Sequence, residues 1–372
     1  MKIRSIEIYR VCIDLEYPFT IATGSTTSID SIIIKIVDNK GNVGWGEAAP
    51  HPVILGETSK SIIACLDLLA PHLIGKDPRK IESIINLMDI IIQHNTAAKA
   101  AIDIAVHDLV SKALGEPLWR LLGGAKNIVE TDFTIGIRPK DAVVKEILNS
   151  LKEGFKAVKL KVGRNPDEDI EMIKSVRKAV GDGVRLRIDA NQGWTRQQAI
   201  YALRKIVEYN IEFVEQPLPA FDISGLAALR RAIPIPLMVD ESVHQPEDVI
   251  RIVKEDAADY INIKLMKSGG IQKASRIAAI AEATGVECMV GSMIETDLGI
   301  TAAVHFAAAT KNVKFGDLDI GFSLRPRDRL IKKGGAKFNE GYVIPPDEPG
   351  LGIQDLKEEL LQGPIKVYNK KW

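Results

Sequence analysis

Cysteine is scarce in this 372-residue chain: Cys12, Cys65 and Cys288 lie far apart, with no CxxC spacing. That excludes a disulfide framework and a thiolate zinc site, fits a reducing compartment, and leaves three small buried hydrophobes. No apolar run approaches the roughly 20 residues of a membrane span, and MKIRSIEIYRV at the start is a charged strand pattern rather than a signal sequence. A cytoplasmic protein with no membrane partner is expected. Net charge is also missing, since 49 Lys plus Arg balance 49 Asp plus Glu. No overall field therefore draws nucleic acid, and local charges must carry the function. Low-complexity segments and internal linkers are absent too, and the chain is long enough for two domains with sizeable cores.

What is present is organised around KAVKLKVG, residues 156–163, a strand pattern in which Lys159 and Lys161 share one face. Downstream, apolar runs end in turn at Asp189, Glu215, Asp240 and Lys264. From Lys161 the steps are 28, 26, 25 and 24 residues, each about one βα unit of a parallel barrel. Unpaired charge in strands buried on both faces is costly, so five ionisable groups in register mark the C-terminal rim where barrel active sites lie.

Eight strand candidates, near 130, 156, 184, 211, 236, 260, 287 and 313, with seven helical segments between them, predict an α/β fold: a (β/α)7β barrel over residues 126–324. Before it, residues 1–125 read as an α+β capping domain. Strands are expected at 3–13 and 31–37, followed by a hairpin turn into VGWGEA. Between those strands, Pro18 to Asp30 reads as a polar loop, either a mobile flap over a site or a long connection. Thr58 or Ser59 caps SIIACLDLLAPHL, and Asn95 or Thr96 opens a helix that runs to Gly115. His107 and Asp108 on that helix have no partner at metal spacing and read as packed or surface residues. Residues 325–372 lose the repeat and are expected to return to the capping domain.

Numbering the barrel strands places Lys161 on strand two, Asp189, Glu215 and Asp240 on strands three to five, and Lys264 on strand six, opposite strand two. Three converging carboxylates make an all-oxygen site for Mg2+, with Mn2+ as a substitute, and zinc is disfavoured without nearby His or Cys. A divalent cation between two opposed lysines suits proton abstraction beside a carboxylate, the metal stabilising an enediolate. Abstraction on one face and return on the other inverts the centre, which predicts racemisation or epimerisation. The lysines must then be partly neutral, and the cation and fellow lysines are expected to lower their pKa. Lys159 gives electrostatic support, Asn191 orients a metal ligand or a water, and Lys267 reads as a loop or helix-start residue. On strand eight, Asp317 and Asp319 share a face. They fit a second metal less well than a seat for a substrate cation such as an α-ammonium group.

With KLK at 159–161, DAN from 189, EQP from 215, DES from 240 and NIK at 262–264, the chain resembles the enolase superfamily, muconate-lactonizing subgroup. The likeness extends to GWGEA, AIDIAVHDL and LLGG in the capping domain and to the closing PGLGI. It implies that Lys161 and Lys264 are the acid/base lysines and that Asp189, Glu215 and Asp240 are magnesium ligands. The strand-eight DLD, the run INIKLMKSGGI and ECMVGSMIET look most like the dipeptide epimerases, in which two aspartates bind the α-ammonium group. That resemblance also draws Gly24, Thr26, Ser292, Ile294, Glu295 and Asp297 into the expected substrate-binding set. Ala-Glu epimerases resembling this chain can carry an arginine where Gly24 stands. Asp297 either attracts a basic side chain or caps the following helix, so a hydrophobic or cationic C-terminal residue is expected rather than Glu. A homo-oligomer is expected from the fold size. The same lysines and metal would serve an N-acylamino-acid racemase, an o-succinylbenzoate synthase or a cycloisomerase, none with an obvious use for Asp317 and Asp319. A hydrolase or dehydratase fits the carboxylates, but two opposed lysines argue against hydrolysis.

Overall fold

The computed structural model describes residues 1–369, except the side chains of residues 322 and 323, so the last three residues of the expected 325–372 segment lie outside the described residues. Isoleucine-rich alternation at the N-terminus builds a long hairpin. Ile3–Ile21 pairs antiparallel with Gly24–Asp38, which pairs in turn with Val43–Ala48. The segment from Pro18 to Asp30, expected as a loop, is therefore strand on both sides of a turn at Ala22 and Thr23. Its far end is a mostly exposed ribbon with no buried face to impose an apolar alternation. Cys12 corrects a second expectation. With Val11 and Ile13 turned inward, the pleat turns Cys12 out, and it is exposed while Cys65 and Cys288 are buried.

Thr58 caps helix Ser59–Leu73 in a reciprocal capping box with Ser61, and helix Thr96–Leu114 ends at Gly115 in the left-handed region. A helix at Ile81–Ile91, which the sequence reading lacks, buries Ile84, Ile85 and Met88 beside them. The GWGEA strand lies flush on the alanine face of Thr96–Leu114. A Cβ on Gly44 or Gly46 would fall 2.1 or 2.0 Å from the carbonyl oxygens of Ala105 and Ala101, so only glycine permits this approach. Both His107 and Asp108 are packed: His107 Nδ1 is 2.8 Å from the Asp103 carbonyl, and Asp108 accepts from the amides of Trp45 and Leu351.

Eight parallel strands then follow in spatial order: Phe133–Ile135, Ala157–Lys161, Arg185–Asp189, Ile211–Glu215, Leu237–Val239, Tyr260–Lys264, Glu287–Gly291 and Val313–Gly316. Helices occupy all seven connections. The sheet curls until the Asp132 amide donates to the Gly316 carbonyl at 3.1 Å, joining the first strand to the eighth as a TIM-like (β/α)7β barrel. The strand expected near 130 divides in two. Val129–Glu130 pairs with Tyr342–Ile344 from the C-terminal segment, and only Phe133–Ile135 belongs to the barrel. Gln362–Asn369 returns to pair with Ile3–Ile21 and completes a four-stranded capping sheet. Among the described residues no helix is long and apolar enough to cross a membrane.

Candidate active site

Each strand of the barrel ends where its apolar run ends, so the polar residue that closes the run points into one shared space above the sheet. Lys161 and Asp189 are register partners, as are Asp189 and Glu215, which sets three strand-end charges side by side. Carboxylate oxygens of Asp189, Glu215 and Asp240 lie within 4.8 Å of one another, and all three residues are fully buried. Lys161 Nζ is 2.5 Å from Asp189 Oδ2, and Lys264 Nζ is 2.7 Å from Asp240 Oδ2. Lys159, one layer deeper, bridges Glu215 at 3.1 Å and Asp317 at 2.5 Å.

Asn191 reaches the cluster twice: its amide donates to Asp189 Oδ1 at 2.9 Å, and its side chain donates to Glu241 at 3.1 Å. Lys267 starts a helical turn, Leu265–Ser268, yet is not a bystander. Its buried ammonium donates to the carbonyls of Asp240, Val243 and Asn262 and lies 2.6 Å from Asp240 Oδ1, as an ion contact rather than a directed hydrogen bond.

Burial and the neighbouring Asp189 push Glu215 up to about 7, and burial with Asp240 pushes Glu241 to about 8. Burial acts on Asp240 in the same sense, but Lys264 and Lys267 outweigh it and hold this carboxyl below its usual range. Lys264 departs from the expected depression: burial alone would lower it, yet Asp240 and Glu215 raise it above an ordinary lysine. The fit to a divalent cation was tested on the donors themselves. All are hard oxygens, the set is buried, and beside it Glu241 Oε2 and Asn191 Oδ1 receive no hydrogen bond. Asp189, Glu215 and Asp240 therefore suit a hard divalent metal.

A cavity of about 730 Å³ opens above them, lined by Lys161, Asn191, Lys264, Asp317 and Asp319. Its walls mix apolar side chains, Phe19 and Ile21 from the hairpin, Ile54, Phe133, Ile135, Met293, Ile294, Ile320 and Leu324, with charged ones, Asp14, Glu16, Arg138, Lys145, Glu146, Arg325 and Asp328. Thr26, Ser292 and Ile294 of the expected substrate set line it, and Gly24, Glu295 and Asp297 do not. Gly24 sits just past the hairpin turn, with open space where a side chain would stand. Glu295 turns into the protein. Its Oε1 accepts from the Met293 amide at 2.9 Å, and burial, with Glu47 beside it, pushes its carboxyl up to about 8. The helix cap is Thr296, and Asp297 does not line the cavity. It accepts from the amides of Leu330 and Ile331 and ties down the C-terminal segment.

Lys159 links Asp317 to Glu215, and Asp317 and Asp319 line the same cavity just past the eighth strand. Thr134 holds both, its hydroxyl donating to Asp317 at 2.8 Å and its amide to Asp319 at 3.0 Å. Two nearby residues escaped the sequence reading. Asp132 is fully buried, with carboxylate oxygens of Asp132, Asp317 and Asp319 within 4.8 Å of one another. His51, from the capping domain, lines the cavity with its Nδ1 accepting from the Ile54 amide at 3.2 Å. Neither ends an apolar run. Only proximity to GWGEA signals His51, and nothing in the sequence pattern signals Asp132.

Comparison with known proteins places this geometry among relatives. Residues 3–123 match the mandelate racemase / muconate lactonizing enzyme N-terminal domain, and residues 142–359 match the enolase C-terminal domain-like family. An L-Ala-D/L-Glu epimerase of Clostridium acetobutylicum is 42% identical over 96% of this chain and 99% of its own. A dipeptide epimerase of Enterococcus faecalis, solved with Mg and the dipeptide L-Leu-L-Tyr, superimposes with a TM-score of 0.91 at 40% identity, covering 95% of this chain and 100% of that one. An N-succinyl Arg/Lys racemase of Bacillus cereus superimposes with a TM-score of 0.93 at 34% identity over the full length of both.

Proposed function

This chain belongs to the mandelate racemase / muconate lactonizing enzyme family of the enolase superfamily, and from that premise we propose that it is a magnesium-dependent dipeptide epimerase. It inverts the α-carbon of the C-terminal residue. The observation that carries the reading is the joint lining of one cavity by two lysines from opposite strands and, at its other end, by Asp317 and Asp319.

Magnesium held by Asp189, Glu215 and Asp240 would supply positive charge beside the substrate carboxylate, where negative charge grows as the α-proton leaves. The protein does the rest. Lys161 meets one face of the α-carbon and Lys264 the other. One takes the proton as a neutral amine while the other, as ammonium, returns one to the opposite face. Asp317 and Asp319, held by Thr134, seat the α-ammonium group and fix which end of the dipeptide lies between the lysines. Apolar walls exclude water and favour a hydrophobic side chain at the inverted residue. A cationic side chain would find no partner in Asp297, which bonds to Leu330 and Ile331, but Asp14, Glu16, Glu146 and Asp328 line the cavity and keep that alternative open.

The second reading, an N-succinyl amino acid racemase, is favoured by the Bacillus cereus relative. Such a substrate has no α-ammonium group and leaves Asp317 and Asp319 unused. The experiment is deuterium incorporation by mass spectrometry, with protein and magnesium in D2O against hydrophobic dipeptides and their N-succinyl counterparts. A one-unit mass gain in the free dipeptides supports the proposal. Gain confined to the N-succinyl amino acids would overturn it.

A further inference from the structure

Glu215 and Asp240 stand at the ends of neighbouring strands, and one side chain ties those ends together. Gln216 follows Glu215 directly and is fully buried. Its Oε1 accepts from the Asp240 amide at 2.9 Å and from the Ser242 amide at 3.2 Å. Its Nε2 donates to the Leu218 carbonyl and to Ser242 Oγ, both at 2.9 Å. Chemistry fixes this orientation: backbone amides can only donate and a carbonyl can only accept, so the side-chain oxygen must face Asp240 and Ser242. All four bonds open to a carboxamide are therefore made.

The main chain here is held as closely. The Gln216 amide donates to the Met238 carbonyl at 2.9 Å, and the Gln216 carbonyl accepts from the Gln192 amide at 2.8 Å. Gln216 has a φ of 34°, in the left-handed region that is uncommon for residues with a side chain. Asn191 and Gln192, just past Asp189, share that region with φ of 41° and 69°. A glycine would relieve the conformation at 216 but would bring no carboxamide. Backbone strain of this kind persists where the surroundings over-determine it, and it collects at functional sites. In this barrel it falls in the first residues after two of the three carboxylates proposed for magnesium.

We propose that Gln216 is a positioning residue for the divalent cation. Joined to Glu215 by the chain and to the Asp240 amide by its side chain, it sets the separation of two ligands before the metal arrives. Ser242 extends the bracket, its hydroxyl donating to the Ala220 carbonyl at 2.9 Å, while the Ala220 amide donates to Gln192 Oε1 at 3.0 Å. Three strand ends are thus cross-linked by uncharged groups. The bracket complements Lys267, which balances the charge of Asp240, whereas Gln216 sets where the Asp240 backbone stands. The inference rests on the magnesium reading above and is independent of which dipeptide is turned over.

The test is calorimetric titration of Mg2+ into the metal-free protein, which reads affinity without turnover. Gln216→Met fills similar space but leaves the Asp240 and Ser242 amides without their acceptor, and the Kd for Mg2+ is expected to rise about 10 to 100-fold. Gln216→Asn, one methylene short of those amides, should show the same rise and carries the test if the Met variant does not fold. Gln216→Glu keeps oxygen for both amides and loses the amino group that serves Leu218 and Ser242. Its unfolding midpoint should fall while its Kd for Mg2+ stays near the wild-type value, a split that a merely structural side chain would not produce. An unchanged Kd in whichever of the Met and Asn variants folds, or a Glu variant as weak as they are, overturns the inference and leaves the magnesium reading intact. A wild-type protein that binds neither Mg2+ nor Mn2+ overturns both.

Discussion

The two ends of the cavity handle buried negative charge in opposite ways. At the end proposed for magnesium, each carboxylate of the triad meets a lysine, Asp189 with Lys161, Glu215 with Lys159, and Asp240 with both Lys264 and Lys267, while buried Glu241 beside them accepts from Asn191. Around Asp317 and Asp132, Lys159 reaches the first and Arg187 the second, and each of these cations also serves a further carboxylate, Glu215 or Glu212. The balanced end forms an ordered ring that holds its shape around a metal. Its counterpart ties its carboxylates to cations that are divided between two acids and to Thr134, which donates to both Asp317 and Asp319. On the proposed reading, the carboxylate of a dipeptide would turn toward the metal and its ammonium toward Asp317 and Asp319.

The largest effect should come from the balanced end. Lys161→Ala or Lys264→Ala is expected to slow epimerisation by about 10² to 10⁴-fold. Each variant should still exchange the α-proton of one epimer with solvent without inverting it, which NMR in D2O would read. Exchange of both epimers at wild-type rate would end the two-lysine assignment.

Next comes Lys267→Met, which strips Asp240 of one of its two buried partners. Breaking such a pair costs about 3 to 5 kcal/mol of stability, visible as an earlier midpoint in denaturant unfolding. An unchanged midpoint would mean that Lys264 alone balances Asp240.

At the other end, Asp317→Asn with Asp319→Asn removes charge-assisted hydrogen bonds worth about 1.5 to 3 kcal/mol each, so KM for dipeptides should rise by about 10²-fold or more. N-succinyl substrates should be untouched, and equal losses on both substrate types would erase the contrast between the two ends. The smallest effect is expected outside the cavity. Asp297→Asn loosens the bonds to Leu330 and Ile331 and should cost about 1 kcal/mol in unfolding experiments while leaving side-chain preference alone. A changed preference would return Asp297 to the substrate.

The balanced end was legible because each member closes an apolar strand, and a strand buried on both faces leaves a charge few reasons to stand there. Asp317 and Asp319 were legible as a pair from their two-residue spacing. Asp132 was not, since its strand is only three residues long and its neighbours form no apolar run. Glu295 and Asp297 were drawn toward the cavity because chain proximity to Ser292 and Ile294 does not report where a loop turns. The ribbon end between Pro18 and Asp30 was hidden for another reason, since a strand exposed on both faces carries no alternation to read.

By itself the sequence determined the barrel, its strand order and the ring of strand-end charges, because apolar periodicity and the length of a βα unit are local properties of the chain. Only the tertiary structure decided which cation meets which carboxylate, that Lys267 grips Asp240, and that His51 and Phe19 reach the cavity from the capping domain. Those depend on distances between residues remote in the chain, and the energy of a buried charge is set by such distances rather than by its neighbours in sequence.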